Sequence, residues 1–238
     1  MLVIPDIHLK PWMFDRAAEI MRSGAAEKAV CLMDIPDEWY QEYNLDLYLD
    51  TFESAIRFQN EFPDTLWCYG NHDLSYIWMQ PESGFSSYMV QTVNEQLRKL
   101  AEAVPDSGQL AYIHRIDDVL FMHGGLNEYF VLKYVPEDQQ GDTDSVIAAI
   151  NSLGCNEMWL RESPIWYRPQ TFTGMMYRAD DMLQVVGHTP TEAITLESNV
   201  LSCDVFSTYC SGEPIGTQEF PVIDTKTWEY ITVPGIVE

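Results

Sequence analysis

Short apolar segments recur along this chain, and in its N-terminal part they alternate with longer stretches that carry apolar residues at helical spacing. The predicted strands are 2–6, 29–34, 65–70, 110–116, 118–124, 183–188, 194–198, 199–206, 219–225 and 228–233. Helices are predicted at about 11–23, 45–61 and 88–103, and after Asp144. Strand–helix alternation followed by a β-rich end predicts an α/β fold, in which a core of β-sheet is covered by helices.

The sequence predicts one domain over residues 1–238. It contains no internal repeat, no low-complexity tract and no long Pro/Gly/Ser linker, and its apolar fraction of 46% is ordinary for a globular protein. No segment approaches the run of about 20 apolar residues that a membrane helix requires, so we expect no membrane partner. No cleaved leader is expected either, because its removal would take away the polar pair Asp6 and His8.

The cysteines favour a cytoplasmic protein. They are Cys31, Cys68, Cys155, Cys203 and Cys210. Their number is odd, no C-x-x-C spacing occurs, and several lie inside apolar strand-like segments. This pattern is typical of buried, reduced thiols in a reducing compartment.

The charge of the chain argues against a nucleic-acid polymer as partner. With 37 acidic and 13 basic residues the formal net charge is −24, and a phosphate backbone would be repelled over most of such a surface. The same excess suggests that some of the acidic residues are compensated by cations.

Polar side chains follow five of the predicted strands at the point where each strand ends. These residues are Asp6 and His8, then Asp34 and Asp37, then Asn71, His72 and Asp73, and finally His123 and His188. In open α/β sheets, ligands bind beyond the carboxyl ends of the strands. We therefore expect these side chains to meet at one edge of the sheet.

The donor types in this set predict a metal site. Imidazole nitrogen and carboxylate oxygen, without thiolate, suit divalent Mn, Fe or Zn. The ligands are too many for one ion that keeps positions open for substrate. A pair of ions about 3.5–4 Å apart, bridged by a shared carboxylate, accommodates them better and would make hydroxide available near neutral pH.

Five motifs in order resemble the calcineurin-like metallophosphoesterase superfamily: "PDIH", "MDIPD", "GNHD", "HGGL" and "GHTP". The "HGG" and "GHT" forms are most similar to the phosphoprotein-phosphatase-like branch, with its bacterial, phage and diadenosine-tetraphosphatase relatives. The resemblance implies a central β-sandwich of mixed sheets flanked by helices. It spans residues 6 to 190.

The resemblance also implies a role for each matching residue. One metal ion would be held by Asp6, His8 and Asp34, and a second by Asp34, Asn71, His123 and His188, with Asp34 as the bridge. His72 would be the general acid that protonates the leaving oxygen, and Asp37 would orient its imidazole and raise its pKa. Two divalent ions are implied, with Mn as the first choice and Fe or Zn as alternatives.

One motif departs from the family pattern. The second motif usually continues with an Arg that clamps the substrate phosphate, and here Glu38 stands at that position. A carboxylate repels a phosphate dianion, so the positive charge must come from elsewhere. Arg168, in "SPIWYRP", resembles the family's W-x-R segment and is the first candidate for the clamp, with Arg161 the second.

These observations favour a phosphoesterase that hydrolyses phosphomonoesters, on proteins or small molecules, by metal-bound hydroxide. Two alternatives stay open. One is a nucleotide or dinucleoside polyphosphate hydrolase, because Trp39, Tyr40, Trp78, Trp166 and Tyr167 lie near the motifs and could stack a base, although core packing explains them as well. The other is a catalytically degenerate metal-binding scaffold. The sequence leaves the natural substrate and the oligomeric state open.

Overall fold

The structure, a computed structural model, describes residues 1–171 and 174–236. Its strands are β1 (Leu2–Ile4), β2 (Ala29–Cys31), β3 (Leu66–Cys68), β4 (Leu110–Ala111), β5 (Ile113–Ile116), β6 (Val119–Met122), β7 (Leu183–Val186), β8 (Thr195–Glu197), β9 (Val200–Ser202), β10 (Glu219–Ile223) and β11 (Tyr230–Pro234). Its helices are α1 (Trp12–Arg22), α2 (Leu45–Glu61), α3 (Asn71–Trp78), α4 (Val90–Ala103), α5 (Glu128–Tyr134), α6 (Thr143–Asn151) and α7 (Cys155–Met158), with a 3-10 turn at Ser107–Gln109.

The strands form two mixed sheets. The first has the order β11-β10-β1-β2-β3-β4; β1 to β4 run parallel, and β10 pairs antiparallel with both β1 and β11. The second has the order β5-β6-β7-β9-β8; β6, β7 and β9 run parallel, and β5 and β8 are antiparallel to their neighbours. The parallel strands of each sheet therefore deliver their following loops to the same edge.

The two sheets pack face to face, with helices on their outer faces. Successive strand residues point to opposite faces: Leu2 and Ile4 of β1 pack with Phe14 of α1 and Phe52 of α2, whereas Val3 belongs to a separate cluster. That cluster joins both sheets and contains Val3, Val30, Leu32, Cys68, Val119, Phe121, Leu183, Val185, Leu201, Cys203 and Ile223. A third cluster packs β6 and β7 against α5 and α6. These four layers confirm the expected sandwich of mixed sheets flanked by helices.

The predicted strand at 110–116 is in fact two strands in different sheets. Leu110 and Ala111 pair with β3 in the first sheet, and the chain then crosses so that β5 pairs with β6 in the second. Asn151 of α6 holds the crossover, because its Oδ1 accepts hydrogen bonds from the backbone N of Tyr112 and Ile113, each at 3.0 Å. An apolar run cannot reveal such a change of sheet. Strands β5 and β6 form an antiparallel hairpin, with Asp117 at a positive φ of 52° in its turn.

Helices α3 and α5 are absent from the sequence prediction, as is the four-residue α7. Helix α3 starts within the GNHD motif: Asp73 caps it through a bond from Gly70 N to Asp73 Oδ2 (3.1 Å). Asn127 caps α5 by accepting from Phe130 N at 2.9 Å. Both helices are short, with 8 and 7 residues, so their periodicity is weak, and tertiary packing stabilises them rather than intrinsic propensity.

The described residues include no helix long and apolar enough to cross a membrane. All five cysteines are free; Cys31, Cys68 and Cys203 are buried, Cys155 is half-buried and Cys210 is exposed.

Candidate active site

The loops that follow β1, β2, β3, β6 and β7 bring the predicted site residues together at one end of the sandwich. They border a cleft of about 820 Å³, whose lining includes His8, Asp34, Asp37, Asn71, His72, Arg168 and His188. Asp6 and His123 are fully buried and lie beneath it, and each contacts a lining residue.

Asp34 lies between two groups of side chains that could hold a metal ion. Among the described residues, ligand atoms lie within 4.8 Å of one another in the group His8, Asp34 and His72 and in the group Asp34, His123 and His188. Asp34 Oδ2 is 3.0 Å from His123 Nε2 and 4.0 Å from His8 Nε2. The first group contains His72 where the sequence predicts Asp6.

Asp6 and Asn71 complete the surroundings of His123. Asp6 Oδ1 lies 3.7 Å from His123 Nδ1 and accepts the backbone N–H of His188 at 2.8 Å. Asn71 Oδ1 lies 3.0 Å from His123 Nε2, which is 3.2 Å from His188 Nδ1. Every predicted metal ligand is therefore within this one assembly.

Backbone carbonyls set the orientation of two imidazoles. His8 Nδ1 donates to Asp37 O at 3.0 Å, and His123 Nδ1 donates to Leu32 O at 2.9 Å. A carbonyl only accepts, so in the neutral ring each Nδ1 carries the proton and each Nε2 keeps its lone pair. Both Nε2 atoms are directed at Asp34, the arrangement that metal-ligating histidines require.

Buried polar atoms without a hydrogen-bond partner indicate that a divalent cation fits this site. In the part of the chain that the structure describes, Asp6 Oδ2, His188 Nε2 and Asp204 Oδ1 are buried and lack such a partner. Leaving a buried polar atom unpaired costs about 1–3 kcal/mol, and more for a charged one. A divalent ion bound by Asp6 would remove this cost at Oδ2 by accepting its lone pair.

The ionisation of the buried carboxylates also favours a cation. Burial alone would raise the pKa of Asp34, yet the imidazoles of His123 and His72 hold it well below its usual range. The pKa of Asp6 is raised, first by burial and then by the neighbouring charge of Asp204. A dication would favour the ionised form of each carboxylate.

The loops reach this geometry through strained backbone and two close-packed glycines. His8, Asp34, Asp37 and His188 have positive φ values between 43° and 71°, a conformation that L-residues avoid and that clusters at functional sites. A Cβ at Gly70 would lie 2.0 Å from Asp34 Oδ1, and one at Gly187 would lie 2.0 Å from Asp6 Oδ2. The glycines of GNHD and GHTP therefore make room for the carboxylates.

His72 and Asp37 form a hydrogen-bonded pair beside the ligand groups. His72 Nδ1 lies 2.9 Å from Asp37 Oδ2. The other carboxylate oxygen, Asp37 Oδ1, accepts the phenol hydroxyls of Tyr48 of α2, at 2.7 Å, and of Tyr76 of α3. Asp37 thus takes part in three hydrogen bonds, and it fixes the plane of the imidazole.

The proton on His72 is held tightly. Burial lowers the pKa of its imidazole, but the charge of Asp34, the bond to Asp37 and the charge of Glu82 together raise it to about 10. His72 Nε2 lies 3.7 Å from Glu82 Oε1. An imidazolium with one nitrogen fixed and the other at the cleft can donate a proton to a bound group.

The structure distinguishes between the two arginines that could bind phosphate. Arg168 lines the cleft, and its Nη1 donates to His188 O at 2.8 Å and to Thr189 Oγ1 at 3.2 Å. Its segment is tied to the HGG motif, because Gly124 N donates to Pro164 O at 2.7 Å and Gly125 N to Tyr167 O at 3.0 Å. Arg161 is exposed and is not among the described residues that line the cleft.

Sequence reasoning missed several residues that shape the site: Lys10, Tyr48, Tyr76, Glu82 and Asp204. Glu82 and Asp204 line the cleft. Asp204 had a signal in the sequence, since it is an acid inside the apolar segment "LSCDVF". The other four lie in helices or loops without a motif, and only the fold brings them close to the residues of the site.

Of the five aromatic residues considered for base stacking, Trp39, Tyr40 and Trp166 line the cleft. Trp78 and Tyr167 are not among its described lining residues, and Trp78 packs edge-on against Trp159, with ring centroids 6.0 Å apart.

Comparison with known proteins agrees with this geometry. The model of the family described as calcineurin-like phosphoesterase matches residues 1–212. The fold is similar to that of a cold-active protein tyrosine phosphatase (19% identity, 97% of this chain and 77% of that chain, TM-score 0.55). A structure of the cold-active protein-tyrosine phosphatase of a psychrophile, Shewanella sp., gives 18% identity, 97% and 79% coverage and a TM-score of 0.56. None of the curated proteins compared with the sequence matches it.

The match over residues 1–212 covers all the predicted ligands, the His72–Asp37 pair and Arg168. The chain belongs to the calcineurin-like phosphoesterase family and is a metal-dependent hydrolase of phosphate esters.

Proposed function

We propose that this enzyme hydrolyses phosphomonoesters with a pair of divalent cations. Asp6, His8 and Asp34 would hold one ion, and Asp34, Asn71, His123 and His188 the other. The observation that carries the proposal is the position of Asp34, whose carboxylate belongs to both groups of potential ligands. Two groups that share one carboxylate are what a bridged metal pair requires.

When bound, the metal pair would activate a water molecule and neutralise charge on the phosphoryl oxygens. The chain's own groups then have separate roles. His72 donates its Nε2 proton to the leaving oxygen, and Asp37 stabilises the imidazolium and fixes its orientation. Arg168, which lines the same cleft, presents its guanidinium to the phosphoryl group.

The lining of the cleft favours monoesters over polyphosphates. Of the described residues that line it, Arg168 is the only Lys or Arg, whereas Glu42 and Glu82 add negative charge. A nucleotide or dinucleoside polyphosphate would bring several charges to this surface. One observation favours such a nucleotide substrate: Trp39 and Tyr40 are 49% and 76% exposed and offer stacking surfaces.

The first experiment is phosphate release from p-nitrophenyl phosphate by metal-stripped protein, before and after addition of Mn²⁺, with His72→Ala as the paired variant. We expect Mn²⁺ to restore turnover. Removing a general acid typically costs about 10²–10⁴-fold in rate, and we expect the loss in His72→Ala to be larger with phenyl phosphate, whose leaving group needs the proton more.

A panel of substrates then separates the candidates. It contains phosphoseryl and phosphotyrosyl peptides, small phosphomonoesters, a diester and a dinucleoside polyphosphate, each with Mn²⁺, Fe²⁺ or Zn²⁺. Preference for the dinucleotide would replace the monoesterase assignment. Tight Mn²⁺ binding without release from any substrate would instead establish a scaffold.

The single domain over residues 1–238, the cytoplasmic location and the absence of a nucleic-acid partner stay predictions. Phosphorylated substrates, small molecules or proteins, are the partners that the family suggests.

A further inference from the structure

Glu82 contacts both the predicted metal ligand Asn71 and the predicted general acid His72, although nothing in its sequence surroundings marks it. We propose that Glu82 is a positioning residue of the metal centre: it fixes the side-chain amide of Asn71 so that the oxygen, and not the nitrogen, faces the ligand group. The inference rests on the proposed function, because it takes Asn71 as a metal ligand.

The two sides of the Asn71 amide have different partners. Its Nδ2 donates to Glu82 Oε1, and its Oδ1 lies 3.0 Å from His123 Nε2. A primary amide can rotate by half a turn, and it presents either two donors or an acceptor to a given partner. In its carboxylate form, which a nearby dication favours, Glu82 only accepts, so it admits the NH₂ group and excludes the carbonyl.

The reversed amide would obstruct the ion. Its NH₂ would donate to the His123 Nε2 lone pair that a cation needs, and its oxygen would face the Glu82 carboxylate. Asn71 is 1% exposed, so water cannot compensate the repulsion between that oxygen and Glu82. Glu82 therefore ensures that the ligand atom is in place before the ion arrives, which lowers the reorganisation cost of metal binding.

The segment that carries Glu82 is fixed over the acid pair. Tyr76, whose hydroxyl binds Asp37, accepts a hydrogen bond from Ser86 N at 2.8 Å, and its ring stacks on Phe85 with centroids 4.5 Å apart. A Cβ on Gly84 would lie 3.2 Å from Asp37 Cβ. The Glu82 side chain, which is 13% exposed, is thus held in a defined position.

A competing explanation must be separated from this one. A carboxylate attracts nearby dications whether or not it hydrogen-bonds to Asn71. Loss of Glu82 could therefore weaken metal binding through charge alone. The two explanations predict different results in the Asn71→Asp variant. An aspartate has two equivalent oxygens and needs no orientation, and Glu82 would then face a like charge.

The test is calorimetric titration of metal-stripped protein with Mn²⁺, in the absence of substrate. We expect Glu82→Ala to weaken the binding of one ion by about 10–100-fold, the usual effect of losing a group that orients a ligand. Glu82→Gln should weaken the binding as well, because a glutamine amide can rotate and accommodate either orientation of the Asn71 amide. Glu42→Ala removes another carboxylate of the same cleft without touching a ligand, and its Mn²⁺ affinity should be unchanged.

In the Asn71→Asp background, Glu82→Ala should leave the Mn²⁺ affinity unchanged or improve it. Equal losses from Glu82→Ala in the wild-type and Asn71→Asp backgrounds would show a charge effect and overturn the inference. So would wild-type affinity in Glu82→Ala. If the wild-type protein itself bound no Mn²⁺, the metal assignment of the proposed function would fall as well, so the two failures are distinguishable.

Discussion

At the scale of single residues, Glu38 shows how an unfavourable substitution is accommodated. It stands where the family pattern has a phosphate-clamping arginine, and its carboxylate is fully engaged. Oε2 accepts from Lys10 Nζ at 2.6 Å, and Oε1 accepts from Trp39 N at 2.8 Å and Thr208 Oγ1 at 2.9 Å. Burial acts to raise the pKa of Glu38, but these bonds, with Lys10 foremost, lower it overall. The expected repulsion of phosphate is therefore largely cancelled inside the protein.

With this charge cancelled, Arg168 is the proposed phosphate clamp. We expect Arg168→Ala to lower kcat/KM for p-nitrophenyl phosphate by roughly 10–100-fold, because hydrogen bonds to charged groups are worth about 1.5–3 kcal/mol. Most of the loss should be in KM, and Mn²⁺ affinity by calorimetry should not change. Arg168→Lys should recover part of the loss, since it keeps the charge but not the planar fork.

The matched control is Arg161→Ala, which removes an exposed arginine of the same chain segment outside the cleft. Its steady-state constants should equal those of the wild type. Unchanged kinetics in Arg168→Ala would reject the clamp, and a defect in Arg161→Ala would return Arg161 to consideration.

The individual residues that could be predicted from sequence are those whose position follows from a motif at a strand end. Asp34 and His123 are examples, because the strand before each one fixes where its side chain goes. Lys10 could not be predicted, since its partner Glu38 is 28 positions away. Tyr48 and Tyr76 converge on Asp37 from separate helices, and each looks in the sequence like an ordinary core aromatic.

At the scale of elements, the junction of β3 with α3 organises the site. Asp73, in the first turn of α3, accepts the backbone N–H groups of Asp34, Ile35 and Gly70 at 2.9–3.1 Å. It thereby joins the loop after β2 to the start of α3. In the same junction, Asp34 Oδ1 accepts His72 N at 2.9 Å. One short helix therefore fixes both the shared carboxylate and the proposed general acid.

Gly70 is the residue that makes this junction possible, and it gives a test at the same scale. In Gly70→Ala the new Cβ would meet Asp34 Oδ1 at 2.0 Å and Asp34 N at 2.9 Å. We expect a loss of about 1–3 kcal/mol in the free energy of unfolding, the usual cost of overpacking. Mn²⁺ affinity should fall as well, because Asp34 has to move.

Gly141→Ala is the control, since a Cβ there meets nothing within 4 Å. Its stability by urea unfolding should lie within about 0.5 kcal/mol of the wild type, as for most surface substitutions. If Gly70→Ala kept both its stability and its Mn²⁺ affinity, Asp34 would not be held as tightly as the junction indicates.

Elements could be predicted where the apolar periodicity extends over many residues, as in α2 with its 17 residues. Helix α3 was not, because its first turn is built from Asn71, His72 and Asp73, which individually favour caps and turns. The split of 110–116 between two sheets depends on the packing of Asn151, a contact between distant segments that no local pattern encodes.

At the scale of the whole molecule, the candidate metal centre joins the two sheets. Asp6, Asp34 and Asn71 follow strands of the first sheet, whereas His123 and His188 follow strands of the second. The apolar cluster between the sheets also draws on both of them. Both sheets therefore contribute to the core and to the site, and neither sheet could unfold without exposing surface of the other.

This sharing predicts one cooperative unfolding transition that metal binding shifts as a whole. A ligand at 100 times its Kd stabilises the folded state by about 2.7 kcal/mol. For a chain of this size each kcal/mol raises Tm by roughly 2–4 °C, so each Mn²⁺ should raise Tm by roughly 5–10 °C. Calorimetry and near-ultraviolet circular dichroism, with and without Mn²⁺, measure the shift.

His188→Ala provides the decisive comparison, because it removes a predicted ligand that the second sheet contributes. If the second ion joins the sheets, this variant should still unfold in one transition, but with a smaller increase in Tm on addition of Mn²⁺. Two separate transitions in the wild type, of which Mn²⁺ moves only one, would mean that the sheets unfold independently. The single domain over residues 1–238 would then have to be abandoned.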